Sequence, residues 1–287
     1  MLDRFVPKNV VHLLELIRFN KPIGFMLLMW PCWFALAILP YSQQNLMHLY
    51  LFFAAGAFLM RSAGCIINDL IDINLDKKVT RTSTRPLASN TISIFNAIIL
   101  LLILLFLALL ILIQFSLGSI ICALLALPLI VIYPFMKRFT YWPQLFLGLV
   151  FNWGILIVSI EFYNKINIEY LFLYFSCVMW TIAYDTIYAY QDRNDDIRNN
   201  IKSTAILFGD NGRKIVLMFY TLFFIIIAIL GYISSGSFIS LIIAFAFIFT
   251  IVLFLNKWDL HSTTSSNYYF RFNNVVGLCC FLFLIIF

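Results

Sequence analysis

Residues 61–86 read RSAGCIINDLIDINLDKKVTRTSTRP and place a dense set of polar side chains between two long apolar runs. Asn68, Asp72 and Asp76 are four residues apart, so a helix aligns them in one polar stripe. Arg61 lies seven residues before Asn68, close to the same face. Crowded carboxylates repel one another unless a positive charge lies among them, and hard divalent cations favour oxygen ligands. The stretch therefore predicts a helix end that binds a cation.

A second acidic stretch follows about 120 residues later, at residues 184–204, and reads YDTIYAYQDRNDDIRNNIKST. Its acidic residues are Asp185, Asp192, Asp195 and Asp196. The alternative is a solvated loop in which the aspartates only keep the chain soluble. That alternative is reasonable for one stretch, but it is weaker for two stretches that each carry an acidic pair four residues apart at a helix end. Mg²⁺ takes a few carboxylates and completes its shell with water and substrate phosphate. The two stretches therefore predict two halves of one metal–phosphate site.

The composition excludes a soluble protein. Of 287 residues, 63% are hydrophobic and 11% are charged, and the mean hydropathy is +0.97; soluble domains carry about 25% charged residues. The net charge of +6 is better explained by basic residues at the inner membrane face than by nucleic-acid binding. Six cysteines without a CxxC pair and three scattered histidines predict neither a disulfide framework nor zinc or haem ligation.

Apolar runs of about 20 residues, the length that crosses a bilayer, recur along the whole chain. Nine transmembrane helices are predicted, and they cover residues 22–40, 47–67, 92–113, 117–136, 142–161, 168–190, 214–233, 237–256 and 270–287. Residues 1–21 are too charged for a signal peptide and predict an N-terminal interfacial segment with a short surface helix. The expected fold is an all-α polytopic bundle in a single domain over 1–287, with the transmembrane part at 22–287.

The basic residues predict the orientation. With nine helices and an inside N-terminus, every Lys and Arg except Lys165 lies in an inside segment or at a helix end beside one. This bias predicts a cytoplasmic N-terminus and places both acidic stretches on the cytoplasmic side.

Basic and aromatic residues close to the acidic stretches are candidates for substrate contacts. Arg81, Arg85 and Arg138 are the preferred phosphate ligands, followed by Lys202, although positive-inside anchoring explains any one of them equally well. Tyr184, Tyr188 and Tyr190 could stabilise an allylic carbocation through their ring faces, or could be interfacial belt residues.

The paired motifs resemble those of the UbiA superfamily of membrane prenyltransferases, which carry NDxxDxxxD and a second stretch containing DxxxD. They occur here as Asn68–Asp76 and Asp192–Asp196. Further matches to family members that act on 4-hydroxybenzoate are KPIG at 21–24, LMRSAGCIIND at 59–69, RTSTRPL at 81–87, YPFMKRFTYWPQ at 133–144 and IKSTAILFG at 201–209. Two departures, RPLASN at 85–90 and Asn200 before IKST, affect loop backbone rather than a ligand.

The resemblance implies a cytoplasm-facing cavity and Mg²⁺-dependent transfer of a polyprenyl group from its diphosphate to 4-hydroxybenzoate, ortho to the hydroxyl, early in ubiquinone synthesis. The residues that it implies for catalysis are Asp72, Asp76, Asp192, Asp196 and Arg138. Those for the metal are Asn68, Asp72, Asp76, Asp192 and Asp196, with Asp69, Asp185 and Asp195 as candidates for the residues that surround these ligands. Charge and position in the sequence, rather than the resemblance, indicate the candidates for substrate binding, which are Lys21, Arg61, Arg81, Arg85, Lys137, Lys202, Tyr184 and Tyr188. Arg61 is expected to bind the acceptor carboxylate, with Arg18 and Lys21 as alternatives.

Other functions stay open at this point. A related enzyme could prenylate a naphthoate, a homogentisate or haem, and a cation or phosphate transporter would also place charges in a helix bundle. Transporters commonly place those charges near the bilayer midplane, whereas these acids cluster at one edge. The expected partners are the two substrates and membrane lipid, with no nucleic acid and no obligate protein partner. A bacterial inner membrane is expected, because residues 1–21 lack the Arg/Ser-rich pattern of a mitochondrial presequence.

Overall fold

The computed structural model describes residues 7–40 and 47–287, and every regular element within them is a helix. The α-helices are α1 Lys8–Leu16, α2 Ile23–Ala37, α3 Met47–Asp76, α4 Ile94–Leu112, α5 Leu117–Ile132, α6 Met136–Phe139, α7 Pro143–Phe151, α8 Gly154–Tyr163, α9 Ile168–Ala189, α10 Arg193–Arg198, α11 Thr204–Phe208, α12 Gly212–Ser235, α13 Phe238–Leu255 and α14 Thr263–Ile286. Two 3₁₀ turns lie at Tyr133–Phe135 and Gly209–Asn211.

Eight helical stretches within the described residues are long and apolar enough to cross a membrane. Three of them combine consecutive elements, at Leu117–Phe139, Pro143–Tyr163 and Thr204–Ser235. The remaining predicted span corresponds to α2, a shorter apolar helix of 15 residues. The all-α, multi-pass membrane bundle is therefore confirmed. In the predicted surface segment, α1 forms at Lys8–Leu16, and residues 1–6 lie outside the described residues.

Several helix boundaries differ from the predicted ones. The third helix does not end near residue 67 but continues through the whole polar stripe to Asp76. The span predicted at 142–161 is two helices, α7 and α8, and the Asn152 side chain at their junction donates to the Gly148 carbonyl at 2.7 Å and to Thr181 Oγ1 at 3.0 Å. The last helix begins at Thr263 rather than at 270, because Ser262 caps its N-terminus by accepting from the Ser265 backbone N–H.

The short polar gaps predicted at 114–116 and 234–237 do form tight turns. Ser116 caps α5 by accepting a hydrogen bond from the Ser119 backbone N–H. Gly236 ends α12 with a φ of +64°, in the left-handed region that glycine adopts without a Cβ clash. Each turn therefore joins two consecutive helices, and of the two pairs α12 and α13 pack against each other.

The helix α9 lies at the centre of the bundle, packed against α7, α12 and α14, and much of its surface is buried. A buried polar network joins these helices. Asn273 Oδ1, on α14, accepts from Trp180 Nε1 at 2.8 Å and from the Tyr220 hydroxyl at 2.6 Å. The polar residue Asn273, near the start of the last predicted span, therefore forms hydrogen bonds inside the bundle. A polar group in an apolar environment needs such partners. The six cysteines are all free, and five are buried.

Candidate active site

The two acidic stretches meet at one end of the bundle. The first occupies the last turns of α3 and the connection at 77–93, and the second occupies the end of α9 and the turn into α10. Arg81, from the α3–α4 connection, donates to both carboxylate oxygens of Asp192, with Nε at 2.7 Å from one oxygen and Nη2 at 2.5 Å from the other. The structure therefore places the two predicted halves side by side.

Asp69 and Asp76 are seven residues apart, two helical turns, and both face the α3–α4 connection. Arg85 Nη1 bridges them, at 3.1 Å from an oxygen of Asp69 and 2.8 Å from an oxygen of Asp76. Arg18, from the connection between α1 and α2, donates to both oxygens of Asp69 at 2.8 and 2.7 Å. Asp69 is thus enclosed by two guanidinium groups.

Asp72 faces a different pair of cations. It is fully buried and forms ion pairs with Lys137 and Arg138, which lie in α6 at the end of the fourth span. Arg138 also donates to the Ile71 carbonyl at 3.1 Å. A buried carboxylate needs such partners, because desolvation otherwise disfavours its charged form.

Arg81 links Asp192 to a tyrosine. Its Nη1 donates to the Tyr188 hydroxyl at 2.6 Å, and its guanidinium lies 4.8 Å from the centroid of the same ring. Asp195 accepts a hydrogen bond from the Thr80 backbone N–H at 3.0 Å. Thr80 and Arg81 therefore bind the α3–α4 connection to the second acidic stretch.

Asp196 differs from the other acids in the cluster. It is 9% exposed, and its carboxylate has no hydrogen-bond or ion-pair partner among the described residues. Burial and, to a smaller extent, the nearby charge of Asp192 raise the pKa of Asp196 to about 7, although Lys137 and Arg81 act in the opposite direction. A cation placed next to such a carboxylate would stabilise its charged form more than it would stabilise an acid that is already paired.

Oxygen donors for a metal are present, but no three acidic, histidine or cysteine side chains in residues 7–40 and 47–287 are close enough to hold one. Basic side chains occupy the space between the acids. The donor set still fits Mg²⁺, since it consists of carboxylates and the Asn68 amide and includes the unpartnered Asp196. Asn68 Oδ1 lies 3.5 Å from the Tyr133 hydroxyl. The metal site thus stays a prediction. It requires the ion pairs between the acids and the basic side chains to separate when the metal and the diphosphate bind.

Beside the acids lies a separate cavity of about 150 Å³ with three basic residues, Arg18, Lys21 and Arg61, in its wall. Phe25, Phe58, Gly24 and Ser62 complete much of the lining. Partial burial lowers the pKa of Lys21, and the charges of Arg81, Arg18 and Arg85 lower it further. This cavity, called the cationic pocket below, is suited to an anion attached to an aromatic ring.

Arg61 and Gly24 fit closely together in the cationic pocket. A Cβ placed on Gly24 would lie 2.8 Å from Arg61 Nε, so this position needs glycine for the arginine to stay where it is. Arg61 Nη1 contacts Cys65 Sγ at 2.7 Å, and its guanidinium lies 5.5 Å from the Phe151 ring centroid. The KPIG motif was the sequence signal for this glycine.

Some predicted site residues lie outside this cluster. Lys202 Nζ donates to the Phe139 carbonyl at 3.0 Å and lies over the Tyr141 ring. These side-chain contacts do not include any of the acids. Tyr184 is 1% exposed and packs edge-on against Trp180. Asp185, in α9, is close enough to Arg61 for their charges to interact.

Sequence reasoning missed two contacts that shape the site. It did not pair Arg18 with Asp69, and it did not identify Tyr133 beside Asn68. Neither pair had a local signal, because its members are separated by more than 50 residues in the chain.

Residues 28–276 match the model of the UbiA prenyltransferase family. The chain belongs to this family. It is 38% identical to 4-hydroxybenzoate octaprenyltransferase of Blochmanniella pennsylvanica over 97% of this chain and 96% of the relative. It is 49% identical to the mitochondrial 4-hydroxybenzoate polyprenyltransferase of Drosophila pseudoobscura pseudoobscura over 69% of this chain, and that match spans 50% of the longer insect protein.

Solved UbiA homologues share the fold. The apo structure of the homologue from Aeropyrum pernix K1 superposes with a TM-score of 0.72 at 20% identity, covering 93% of this chain and 98% of that one. The homologue from Archaeoglobus fulgidus bound to GPP and Mg²⁺ gives a TM-score of 0.67 at 16% identity, covering 96% and 100%. A further structure of that homologue contains Cd²⁺. At these identities the similarity establishes the helical bundle alone.

Proposed function

We propose that this protein transfers a polyprenyl group from polyprenyl diphosphate to the ring carbon of 4-hydroxybenzoate that is ortho to the hydroxyl. The observation that carries the proposal is the pairing of two acidic segments with Arg81, Arg85, Lys137 and Arg138 directly beside the cationic pocket. Relatives named for this reaction support the choice of acceptor.

The diphosphate of the donor is proposed to enter the aspartate cluster while its polyprenyl chain stays among apolar helices. Asn68, Asp72, Asp76, Asp192 and Asp196 would hold Mg²⁺, which neutralises charge on the diphosphate and makes it a better leaving group. The basic residues now paired with these acids would turn to the phosphate oxygens. Arginine suits that exchange, because its planar fork binds carboxylate and phosphate alike.

The acceptor carboxylate is proposed to bind in the cationic pocket. Arg61 is the principal ligand, since Gly24 keeps it at the pocket wall, and Arg18 and Lys21 supply further positive charge. A benzoate held by its carboxylate at this end would direct its hydroxyl end toward the aspartate cluster. The ring carbon next to the hydroxyl is the most electron-rich position, so it would be the one presented to the donor.

In the reaction, the C–O bond between the allylic carbon and the diphosphate breaks, and the electron pair leaves with the diphosphate. The ring carbon then forms the new C–C bond and gives up its proton to the released diphosphate, which restores the aromatic ring. The ring of Tyr188 lies beside Arg81, and its face could stabilise positive charge on the departing allylic group once the guanidinium has moved to the phosphate.

The membrane arrangement supports a related proposal. We infer that the protein lies in a bacterial inner membrane with its N-terminus and active site on the cytoplasmic side, because basic residues concentrate at the end of the bundle that holds the acids. Labelling of single introduced cysteines with an impermeant reagent in intact cells tests this orientation.

A membrane assay with labelled 4-hydroxybenzoate and a long-chain polyprenyl diphosphate, with and without Mg²⁺, tests the function. Magnesium-dependent entry of the label into the lipid extract is the expected result. Prenylation of other aromatic acids but not of 4-hydroxybenzoate would keep the reaction class and reject the acceptor. No prenylation by a correctly inserted protein would reject the enzyme function itself.

The Arg61→Ala variant tests the acceptor site in the same assay. We expect a large rise in the KM for 4-hydroxybenzoate with an unchanged KM for the diphosphate. Arg271→Ala, on α14, is a control for removing a basic residue elsewhere in the bundle. An unchanged acceptor KM in Arg61→Ala would place the carboxylate elsewhere.

A further inference from the structure

We propose that Asp69 is a positioning residue that holds Arg18 at the cationic pocket and Arg85 at the aspartate cluster, and that it does not bind the metal. This inference rests on the proposed function, because it gives the two arginines roles toward the acceptor and the donor. The sequence motif implies only that Asp69 is a candidate for a place beside the metal ligands, and the inference gives it a specific role toward two arginines.

The surroundings of Asp69 leave little room for a metal. The carboxylate is 1% exposed and accepts hydrogen bonds from Arg18 at 2.7 and 2.8 Å and from Arg85 at 3.1 Å. A carboxylate has about four lone-pair sites, and at Asp69 three are engaged by two separate guanidinium groups, whereas the three contacts of Asp192 all come from Arg81 and are released when that one side chain moves. Asp196 provides the contrast, because it is similarly buried but has no side-chain partner among the described residues. Metal binding at Asp69 would break more favourable contacts than binding at Asp196.

The two arginines reach Asp69 from different parts of the chain. Arg18 comes from the connection between α1 and α2, 51 residues before Asp69, and Arg85 comes from the connection between α3 and α4. Arg18 lines the cationic pocket, whereas Arg85 also pairs with Asp76 at 2.8 Å. One buried acid therefore fixes the relative positions of a pocket residue and a cluster residue.

Arg18 depends on this contact more strongly than Arg85 does. Its φ is +59°, in the left-handed region that is unfavourable for a residue with a Cβ. It lies near Lys21 and Arg61 in the pocket wall, so without Asp69 three like charges would repel one another. Arg85 would keep the carboxylate of Asp76 as a partner, whereas Arg18 would keep the uncharged Glu15 carbonyl at 3.1 Å. Loss of Asp69 should therefore disturb the acceptor side first.

The test compares Asp69→Asn, Arg18→Gln and the control Asp210→Asn, which removes an acid that is 87% exposed and paired with Arg193 outside the site. In Asp69→Asn we expect the acceptor KM to rise about tenfold, the loss expected for one hydrogen bond between charged groups. The donor KM should rise less and kcat should change least. Arg18→Gln should raise the acceptor KM alone. Equal KM values in Asp69→Asn and the wild type would overturn the proposal.

Metal binding is the second measurement and does not depend on turnover. Mn²⁺ titrated into the purified protein and followed by electron paramagnetic resonance should bind Asp69→Asn as it binds the wild type, and Asp72→Asn more weakly. Equal weakening by the two variants would make Asp69 a metal ligand and reject the inference. If Asp69→Asn does not fold, Asp69→Glu keeps the charge; this variant should bind Mn²⁺ normally and should show a smaller rise in the acceptor KM.

Hydrogen exchange separates this inference from the proposed function. Faster backbone exchange in residues 17–22 of Asp69→Asn, but not of Asp210→Asn, is expected even if the wild type transfers no prenyl group to 4-hydroxybenzoate. That combination would reject the proposed acceptor and keep the positioning role. Unchanged exchange in residues 17–22 would reject the positioning role, whatever the activity.

Discussion

Replacement of Tyr188 by phenylalanine removes one oxygen from the site and keeps the aromatic ring. The hydroxyl accepts a hydrogen bond from Arg81 Nη1 at 2.6 Å, while Arg81 uses Nε and Nη2 to bind Asp192. The ring itself lies 4.8 Å from the guanidinium carbon and is unaffected by the change. Tyr188→Phe thus isolates one contact that sets the direction of the Arg81 side chain.

The size of the effect follows from the charge and the exposure of Arg81. A hydrogen bond to a charged group contributes about 1.5–3 kcal/mol. Because the Arg81 side chain is 30% exposed, water replaces part of the lost contact, and we expect the lower end, about 1.5 kcal/mol. This corresponds to about a tenfold fall in kcat/KM for the prenyl diphosphate. The KM for 4-hydroxybenzoate should not change.

The assay is steady-state prenyl transfer in detergent or nanodiscs, with Tyr188→Phe, Arg81→Lys and the double variant. If Tyr188 acts through Arg81, Tyr188→Phe should lower kcat/KM only slightly in a protein that already carries Arg81→Lys, because the guanidinium is absent there. The double-variant comparison should then give a coupling energy of about 1 kcal/mol. Tyr232→Phe is the matched control, because Tyr232 lies near the C-terminal end of α12 and its ring packs against Phe238. Fully additive losses in the double variant would refute the argument, because Tyr188 would then act independently of Arg81.

Three further predictions follow from individual contacts. Asn273→Ala leaves two buried donors, the Trp180 indole N–H and the Tyr220 hydroxyl, without an acceptor, at about 1–2 kcal/mol each. It should lower the Tm measured by thermal unfolding by about 5–10 °C, whereas Asn256→Ala at an exposed position should leave the Tm unchanged. Asp196→Asn should weaken Mn²⁺ binding about tenfold or more without lowering the Tm, since it removes a buried, unpaired carboxylate; a lower Tm with normal Mn²⁺ binding would contradict it. Gly24→Ala should displace Arg61 and raise the acceptor KM while the donor KM stays constant, and equal changes in both values would contradict this mechanism.

The sequence by itself determined the class of the protein and the local arrangement of its first motif. Apolar runs long enough to cross a bilayer must form helices there, because the backbone finds no other hydrogen-bond partners. A spacing of four residues must align Asn68, Asp72 and Asp76 once α3 continues to Asp76. The periodicity and the hydropathy are local properties, so they can be derived without knowledge of the packing.

Only the tertiary structure decided which charges meet. Arg81 and Arg85 are four residues apart and look alike in the sequence, but the connection between α3 and α4 is a series of turns rather than a helix, so Arg81 faces Asp192 and Arg85 faces Asp69 and Asp76. Lys137 meets Asp72 across 65 residues of chain, and Arg18 meets Asp69 across 51. Any aspartate can pair with any basic side chain that packing brings close, so charge and spacing alone do not distinguish a metal ligand from a residue that holds an arginine in place.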